Sequence, residues 1–235
     1  MPRPPDAAPR IALIHAVVPA IAPIHAAFHA LWPAAGPIDI LDAALSPDRA
    51  RDGDLTPAMA ARIDALADYA VLAGADAVLF TCSAFGAASE AAAERLPLPV
   101  LKPNEAMFEA AMGAGARLGM LATFRPSVAG MEGEFEEERA RAGVRATLET
   151  VLVPDALDAL KGGDAETHDR LVAEAAPALA HCDAILLAHF STSRAAPAVR
   201  AALASAGVTA PVLTSPEAAV RKLMRVLAVA PAPAA

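Results

Sequence analysis

Short apolar runs alternate along the chain with longer amphipathic or alanine-rich stretches. A strand buried on both faces of a sheet is typically a continuous apolar run, whereas a longer amphipathic stretch is typical of a helix. The runs that predict strands are IALIHA (11–16), IDIL (38–41), DAVLF (76–80), PVL (99–101), RLGMLA (117–122), LETVLV (148–153), DAILLA (183–188) and PVL (211–213). Helical patterns lie between them, for example over 57–73, 127–142, 165–181, 195–207 and 216–228. This alternation predicts an α/β architecture with parallel sheets.

The chain also resembles itself at a fixed spacing. The segment DAVLFTC (76–82) matches DAILLAH (183–189) at an offset of 107 residues, and the same offset sets IALIHAVVPAI (11–21) against LGMLATFRPSV (118–128). An offset of 112 aligns PVLKPNE (99–105) with PVLTSPE (211–217). Because the three matched pairs occur in one order, we interpret the chain as a duplicated α/β half. Chance similarity between alanine-rich segments is the alternative interpretation.

The duplication predicts where the functional residues lie. Ligands of open parallel sheets bind beyond the carboxyl ends of the strands, and duplicated halves usually face each other across a cleft. We therefore expect the site in that cleft, formed by loops 15–20 and 82–86 of one half and loops 122–128 and 189–194 of the other. In this alignment Cys82 and His189 occupy equivalent positions.

Composition and charge exclude several classes of protein. The chain of 235 residues is 56% hydrophobic but only 4% aromatic, and its formal net charge is −8 with no cluster of Lys or Arg. We expect no nucleic-acid or membrane partner, because both would require a basic surface. No apolar run reaches the roughly 18 residues of a membrane span, and the N-terminus lacks a signal-peptide core, so we expect a cytoplasmic protein. Two cysteines in a reducing compartment predict free thiols rather than a disulfide.

Cys82 is the first candidate for chemistry. It follows a predicted strand and precedes a predicted helix, so backbone N–H groups and the helix dipole would stabilise its thiolate and lower its pKa. A buried structural cysteine is the alternative, and this is the interpretation that we prefer for Cys182, which lies before a strand at the opposite end. His189 stands where the duplicated cysteine would be, and its imidazole could exchange protons near neutral pH. A hydrogen-bonding or pocket-lining role is the alternative for His189.

Small hydroxyl residues surround these two candidates in the sequence. Together with loop N–H groups they could bind a carboxylate, although Ser and Thr also serve as ordinary helix caps. We predict substrate contacts from Ser83, Thr123, Ser127, Ser191 and Thr192, with Thr81 beside them and Arg125 and Arg194 as candidate cations. His15 ends the first predicted strand and Pro19 lies in the loop after it, and both are expected to line the pocket, with core packing as the alternative for His15. His25 and His29 are four residues apart without a carboxylate motif, and no motif in the chain indicates a metal site.

With these residues placed, the chain resembles the aspartate/glutamate/hydantoin racemase superfamily over nearly its whole length. FTCSAFG (80–86) resembles the loop of the first catalytic cysteine, and DAILLAHFSTS (183–193) resembles the strand leading to the second. LGMLATFRPSV (118–128) resembles the strand and turn with paired hydroxyls, here Thr123 and Ser127, in the form found in hydantoin and allantoin racemases.

The resemblance implies two flavodoxin-like domains related by a pseudo-twofold axis, one of residues 1–106 completed by 211–235 and the other of residues 107–210. It also implies catalysis without a cofactor, in which two thiols on opposite faces of a carbon acid exchange its α-proton, and a homodimer or higher homo-oligomer. The chain departs from this pattern because His189 replaces the second cysteine. It also lacks the acidic and Ser/Thr pair after the first strand that glutamate racemases use, so a substrate amino group has no obvious partner.

From these observations we expect a racemase or isomerase that transfers a proton at a carbon next to a carboxylate or carbonyl of a small acid. Cys82 and His189 would be its opposed acid and base. The alternatives are a decarboxylase or lyase of the same superfamily that uses Cys82 alone, a variant in which Cys82 adds to a double bond as in maleate isomerase relatives, and a non-catalytic small-molecule binder.

Overall fold

The structure, a computed structural model, describes residues 8–227. Residues 1–7 and 228–235 of the predicted first domain lie outside them. The chain divides into two compact units, one ending at Pro103 and resuming at Ala219, the other spanning Asn104–Ala218. The sequence-based boundaries at 106 and 211 differ from these positions, because the strand after Pro211 pairs within the second unit. Within residues 8–227, no helix combines the length and apolarity that a membrane span requires.

The first unit contains a parallel sheet of four strands in the order β2-β1-β3-β4. The strands are β1 (Arg10–His15), β2 (Gly36–Leu41), β3 (Ala77–Phe80) and β4 (Val100–Leu101). Its helices are α1 (Ile21–Leu31), α2 (Leu45–Asp52), α3 (Pro57–Leu72) and α4 (Gly86–Arg95). α3 begins after Thr56, whose hydroxyl accepts a hydrogen bond from the N–H of Met59. Side chains alternate across the central strands, so Ala12 and Ile14 join one apolar cluster with Val78 and Phe80.

The second unit repeats this arrangement in the order β6-β5-β7-β8. Its strands are β5 (Arg117–Ala122), β6 (Thr147–Leu152), β7 (Ala184–Leu187) and β8 (Val212–Thr214). Its helices are α5 (Glu105–Ala114), α6 (Arg125–Ala142), α7 (Ala156–Lys161), α8 (Ala165–Ala175) and α9 (Ala196–Ser205), and α10 (Ser215–Val226) begins here. The predicted helix 165–181 is shorter than expected: α8 ends at Ala175 and a 3₁₀ turn follows, because Pro177 cannot continue the helical hydrogen bonding. Helices cover both faces of the sheet, as a parallel sheet requires.

The two sheets share the same pairing register. Ile11 pairs with Ala77 in the first sheet, and Leu118 pairs with Ala184 in the second. Each residue of the second pair therefore lies 107 positions after its counterpart in the first pair. The pairing of Val78 with Val100 likewise corresponds to that of Ile185 with Val212. The two-sheet α/β fold predicted from the sequence is therefore confirmed, and each sheet presents its carboxyl edge to the loops that carry the candidate chemistry.

Candidate active site

Cys82 lies two residues beyond the end of β3. Its backbone is extended, and a 3₁₀ turn over Ser83–Phe85 leads from it into α4. The side chain is half-buried, and burial raises the pKa of the thiol, while a hydrogen bond to the backbone of Ala84 acts in the opposite direction. The lowered pKa expected from the sequence is therefore wrong for this environment, because desolvation outweighs the loop N–H. The thiol is protonated at neutral pH and suited to donating a proton.

His189 lies two residues beyond the end of β7, the position equivalent to that of Cys82. Its φ of 71° is in the left-handed region, which is uncommon for a residue other than glycine. Such a conformation costs roughly 1–3 kcal/mol and concentrates at functional sites. The strand therefore ends in a strained turn that fixes where the imidazole leaves the backbone.

The hydrogen bonds of His189 define which ring nitrogen can accept a proton. Ser127 donates its hydroxyl to the carbonyl oxygen of Phe124 at 2.8 Å, and its oxygen lies 3.1 Å from Nε2 of His189. With the Ser127 hydrogen on the Phe124 carbonyl, Nε2 of His189 donates to the Ser127 oxygen and Nδ1 carries the lone pair. Burial lowers the pKa of His189 to about 4, so the ring is neutral at neutral pH. In this tautomer Nδ1 of His189 is the ring nitrogen that can accept a proton.

The other hydroxyl residues of the second unit flank His189. Thr123 follows β5, and its Oγ1 lies 3.3 Å from Oγ1 of Thr192, both side chains being buried. Ser191 is half-buried at the start of the 3₁₀ turn that precedes α9. The fold thus brings Thr123, Ser127, Ser191 and Thr192 to the ends of two neighbouring strands with His189. Arg194, a candidate cation, is held in an ion pair with Asp169 at 2.8 Å.

In the first unit, His15 belongs to a buried hydrogen-bond network. Its side chain is fully buried, with Nδ1 2.8 Å from Oγ1 of Thr81 and Nε2 3.0 Å from Oδ1 of Asp39. Burial lowers the pKa of His15, and hydrogen bonds from His25 and His15 lower the pKa of Asp39 despite its partial burial. A neutral His15 that donates from Nε2 to the Asp39 carboxylate has the lone pair of Nδ1 facing Oγ1 of Thr81, which also lies 3.2 Å from the carbonyl oxygen of Ile14. These contacts indicate that His15 holds Thr81, the residue before Cys82, in position. The substrate contact of His15 stays a prediction.

The remaining predicted residues of the first unit lie on the loops beyond β1 and β3. Pro19 is exposed within a 3₁₀ turn over Val18–Ala20, and Ser83 is half-buried next to Cys82. Substrate contacts of both residues stay predictions.

Three polar residues of the first unit were missed by the sequence reasoning. Asp39 interrupts the apolar run of β2, and that interruption was a usable signal. Lys102 is a buried lysine directly after β4, beside the strand that carries Cys82. Arg49 of α2 donates to the carbonyl of Ala84, next to the thiol. The positions of these two cations depend on tertiary packing, and the Lys102 ammonium is in an ion pair with Glu90 at 3.5 Å.

Comparison with known proteins gives the family. A family model described as Asp/Glu/Hydantoin racemase matches residues 15–223. The fold is similar to that of a glutamate racemase from Bacillus anthracis (TM-score 0.69, 15% identity, covering 94% of this chain and 82% of that one). It is also similar to an allantoin racemase from Klebsiella pneumoniae (TM-score 0.71, 18% identity, covering 94% and 89%). A mutant of arylmalonate decarboxylase in a sulfate-associated form has a TM-score of 0.65 at 20% identity, covering 96% and 97%.

Comparison with the sequences of curated proteins finds no match. The family model spans most of the chain, and the solved structures share its two-sheet fold. The resemblance predicted from the sequence is thereby confirmed. The chain belongs to the Asp/Glu/hydantoin racemase family.

Proposed function

We propose that this protein is a cofactor-independent racemase or isomerase that transfers a proton at the carbon next to a carboxylate or carbonyl of a small acid. Cys82 and His189 act as its acid and base. The observation that supports this most directly is their equivalence: each stands two residues beyond the end of the corresponding strand, β3 or β7, in a sheet of the same register.

The ground-state protonation of the two groups fits opposite roles. Environments that shift the pKa values of two titratable groups apart are typical of sites in which one group acts as the acid and the other as the base. Nδ1 of His189 accepts the α-proton, and the electron pair of the broken C–H bond moves into the carboxylate or carbonyl as an enediolate or enolate. The thiol of Cys82 then gives its proton to the opposite face of that carbon. The resulting thiolate accepts the hydrogen bond of the Ala84 N–H, and the reverse reaction uses thiolate and imidazolium.

The intermediate requires hydrogen-bond donors that are in place before charge develops. We propose that Ser83, Thr123 and Ser191 contribute, together with the loop N–H groups, and that Ser127 acts by orienting His189. Thr192 contributes through its contact with Thr123. A small carboxylate-bearing substrate, a cytoplasmic location and a homodimer or higher homo-oligomer stay predictions alongside this mechanism.

The proposal is tested by the activity of variants on a panel of α-amino acids, 5-substituted hydantoins and 2-aryl carboxylic acids. We expect loss of optical activity of one panel member with wild type, and a decrease of roughly 10²–10⁴-fold in Cys82→Ser and in His189→Asn, the usual contribution of general acid–base catalysis. Equal rates in wild type and both variants would refute the assignment of these residues.

A second candidate function is decarboxylation with Cys82 acting alone. The burial that keeps the Cys82 thiol protonated favours this alternative, because a decarboxylase needs a proton donor on one face of the enediolate. The fold similarity to arylmalonate decarboxylase is consistent with it but shows the fold alone. Release of CO₂ from a disubstituted malonate that persists in His189→Asn and stops in Cys82→Ser would select decarboxylation over racemisation.

A further inference from the structure

A second group of reactive side chains lies at the amino-terminal end of β7, away from the edge that carries His189. Glu149 of β6 and the adjacent His181 and Cys182 bring one oxygen, one nitrogen and one sulfur within 4.8 Å of one another. Nε2 of His181 is 2.9 Å from Oε2 of Glu149. Three different donor atoms thus converge from two separate parts of the second unit.

The backbone around Cys182 is held firmly in place. Its N–H donates to the carbonyl of Leu179 at 2.9 Å, and the next residue, Asp183, donates its N–H to the carbonyl of Arg117 at 2.6 Å. The Asp183 carboxylate accepts N–H groups of Ala116 and Arg117 at 3.0 and 2.9 Å. Because the backbones of Cys182 and of the next residue, Asp183, are anchored, the sulfur does not have to be ordered at the moment a ligand arrives.

Burial divides the cluster into an inner and an outer part. Cys182 is buried in the apolar core of the second unit, whereas the side chains of Glu149 and His181 are each 54% exposed. An ion could therefore enter from solvent and meet the sulfur at the base of the cluster. The outer side chains can make the short rotations that would bring their atoms to coordination distance.

The charges near the cluster suit a divalent cation. A thiolate and a carboxylate together balance two positive charges, and the imidazole adds a neutral donor. Arg117, the nearby cation, is neutralised by Asp183 at 2.8 Å, and this pairing also removes Asp183 from the set of free donors. A site with one sulfur, one nitrogen and one oxygen donor is typical of zinc and its neighbours, not of calcium or magnesium, which prefer oxygen.

We propose that Glu149, His181 and Cys182 bind a borderline transition-metal dication of the zinc type, with the remaining coordination position open to water. On binding, the S–H bond of Cys182 breaks, a sulfur–metal bond forms and the proton goes to solvent. The sequence alone does not indicate this site, because His181 and Cys182 are adjacent along the chain and their third partner, Glu149, lies on strand β6. The ion stabilises the second unit by mass action and takes no part in the proposed catalysis.

The test is a titration of the metal-free, full-length chain with Co²⁺. We expect one Co²⁺ per chain, a thiolate-to-cobalt charge-transfer band in the near ultraviolet, and displacement of the band by Zn²⁺. Cys182→Ser should abolish the band, whereas Cys82→Ser, the matched cysteine control, should retain it. His181→Ala and Glu149→Gln should weaken binding at least about 10-fold, the lower limit for loss of an outer-shell partner. His29→Ala is the matched histidine control, because His29 is also exposed.

The proposal is overturned if wild type gives no thiolate band, if the band disappears in Cys82→Ser, or if it persists in Cys182→Ser. If Cys182→Ser does not fold, the surface variants His181→Ala and Glu149→Gln provide the test. An unchanged affinity for Co²⁺ in both variants would also overturn the proposal. The readout is independent of racemase or decarboxylase activity, so each proposal can fail without the other.

Discussion

Replacement of His189 by Asn tests whether burial keeps this imidazole uncharged. The folded protein lowers the pKa of His189 from 6.5 to about 4. A folded-state pKa below the unfolded value means that, between these two pH values, the unfolded chain binds more protons than the folded one. The stability contribution is therefore present above about pH 6.5 and is lost as the pH falls towards about 4. The full loss is about 3 kcal/mol, and at about pH 5 it is about 2 kcal/mol.

Asn is the suitable replacement because it cannot titrate and it tolerates the left-handed backbone at this position. Urea unfolding of wild type and His189→Asn at about pH 7 and pH 5 gives the comparison. We expect wild type to lose about 2 kcal/mol more of its free energy of unfolding than the variant. His29→Ala is a control at an exposed histidine and should behave like wild type. An equal loss in wild type and His189→Asn would refute the inference that burial holds this ring neutral.

Three further predictions concern residues around the two sheets. Ser127→Ala removes the hydrogen-bond partner of Nε2 of His189, the base of the proposed mechanism, so kcat should decrease by about 10-fold, equivalent to one lost hydrogen bond, with KM little changed. Asp39→Asn replaces the carboxylate, itself 37% exposed, that accepts hydrogen bonds from His25 and from the fully buried His15, and urea unfolding should report a loss of about 1–3 kcal/mol. Gly115→Ala should destabilise by about 1–3 kcal/mol because the new Cβ would overlap Asp183. Gly113→Ala, which meets open space within a helix, should instead stabilise by roughly 0.5–1 kcal/mol in the same assay.

Each of these predictions has an outcome that contradicts it. An unchanged kcat in Ser127→Ala would mean that the ring is oriented by other contacts. Wild-type stability of Asp39→Asn would mean that an amide oxygen replaces the carboxylate without cost. Equal stabilities of Gly115→Ala and Gly113→Ala would mean that the backbone near Asp183 moves to make room for the new Cβ at position 115.

The central strands of the two sheets could be predicted because they are continuous apolar runs. Ala77–Phe80 and Ala184–Leu187 are buried throughout, so their sequences contain no polar residue that would mask the strand. The 107-residue repeat then assigns Cys82 and His189 to equivalent positions in the two halves. This part of the candidate site follows from local pattern and register alone.

The other contacts of the candidate site join residues that are distant in sequence, so local sequence patterns do not predict them. Asp39 meets His15 because β1 and β2 are paired with Leu13 opposite Asp39, a register that spacing along the chain does not give. The sequence predicts a lowered pKa for Cys82, and this direction is wrong because the extent of burial at a strand end depends on the packing of residues distant in sequence. The hydrogen bond between Ser127, in the first turn of α6, and His189 likewise joins residues that lie 62 positions apart in sequence.

The central claim, proton transfer by two opposed groups, is tested most directly by racemisation of a single enantiomer in D₂O, stopped at low conversion. Chiral separation followed by mass spectrometry measures the deuterium in each enantiomer. We predict deuterium at the α-carbon of the product enantiomer and protium in the recovered substrate, because one residue removes the proton and the other supplies a solvent-derived deuteron. Equal deuterium in recovered substrate and product, or none in either, would contradict the account.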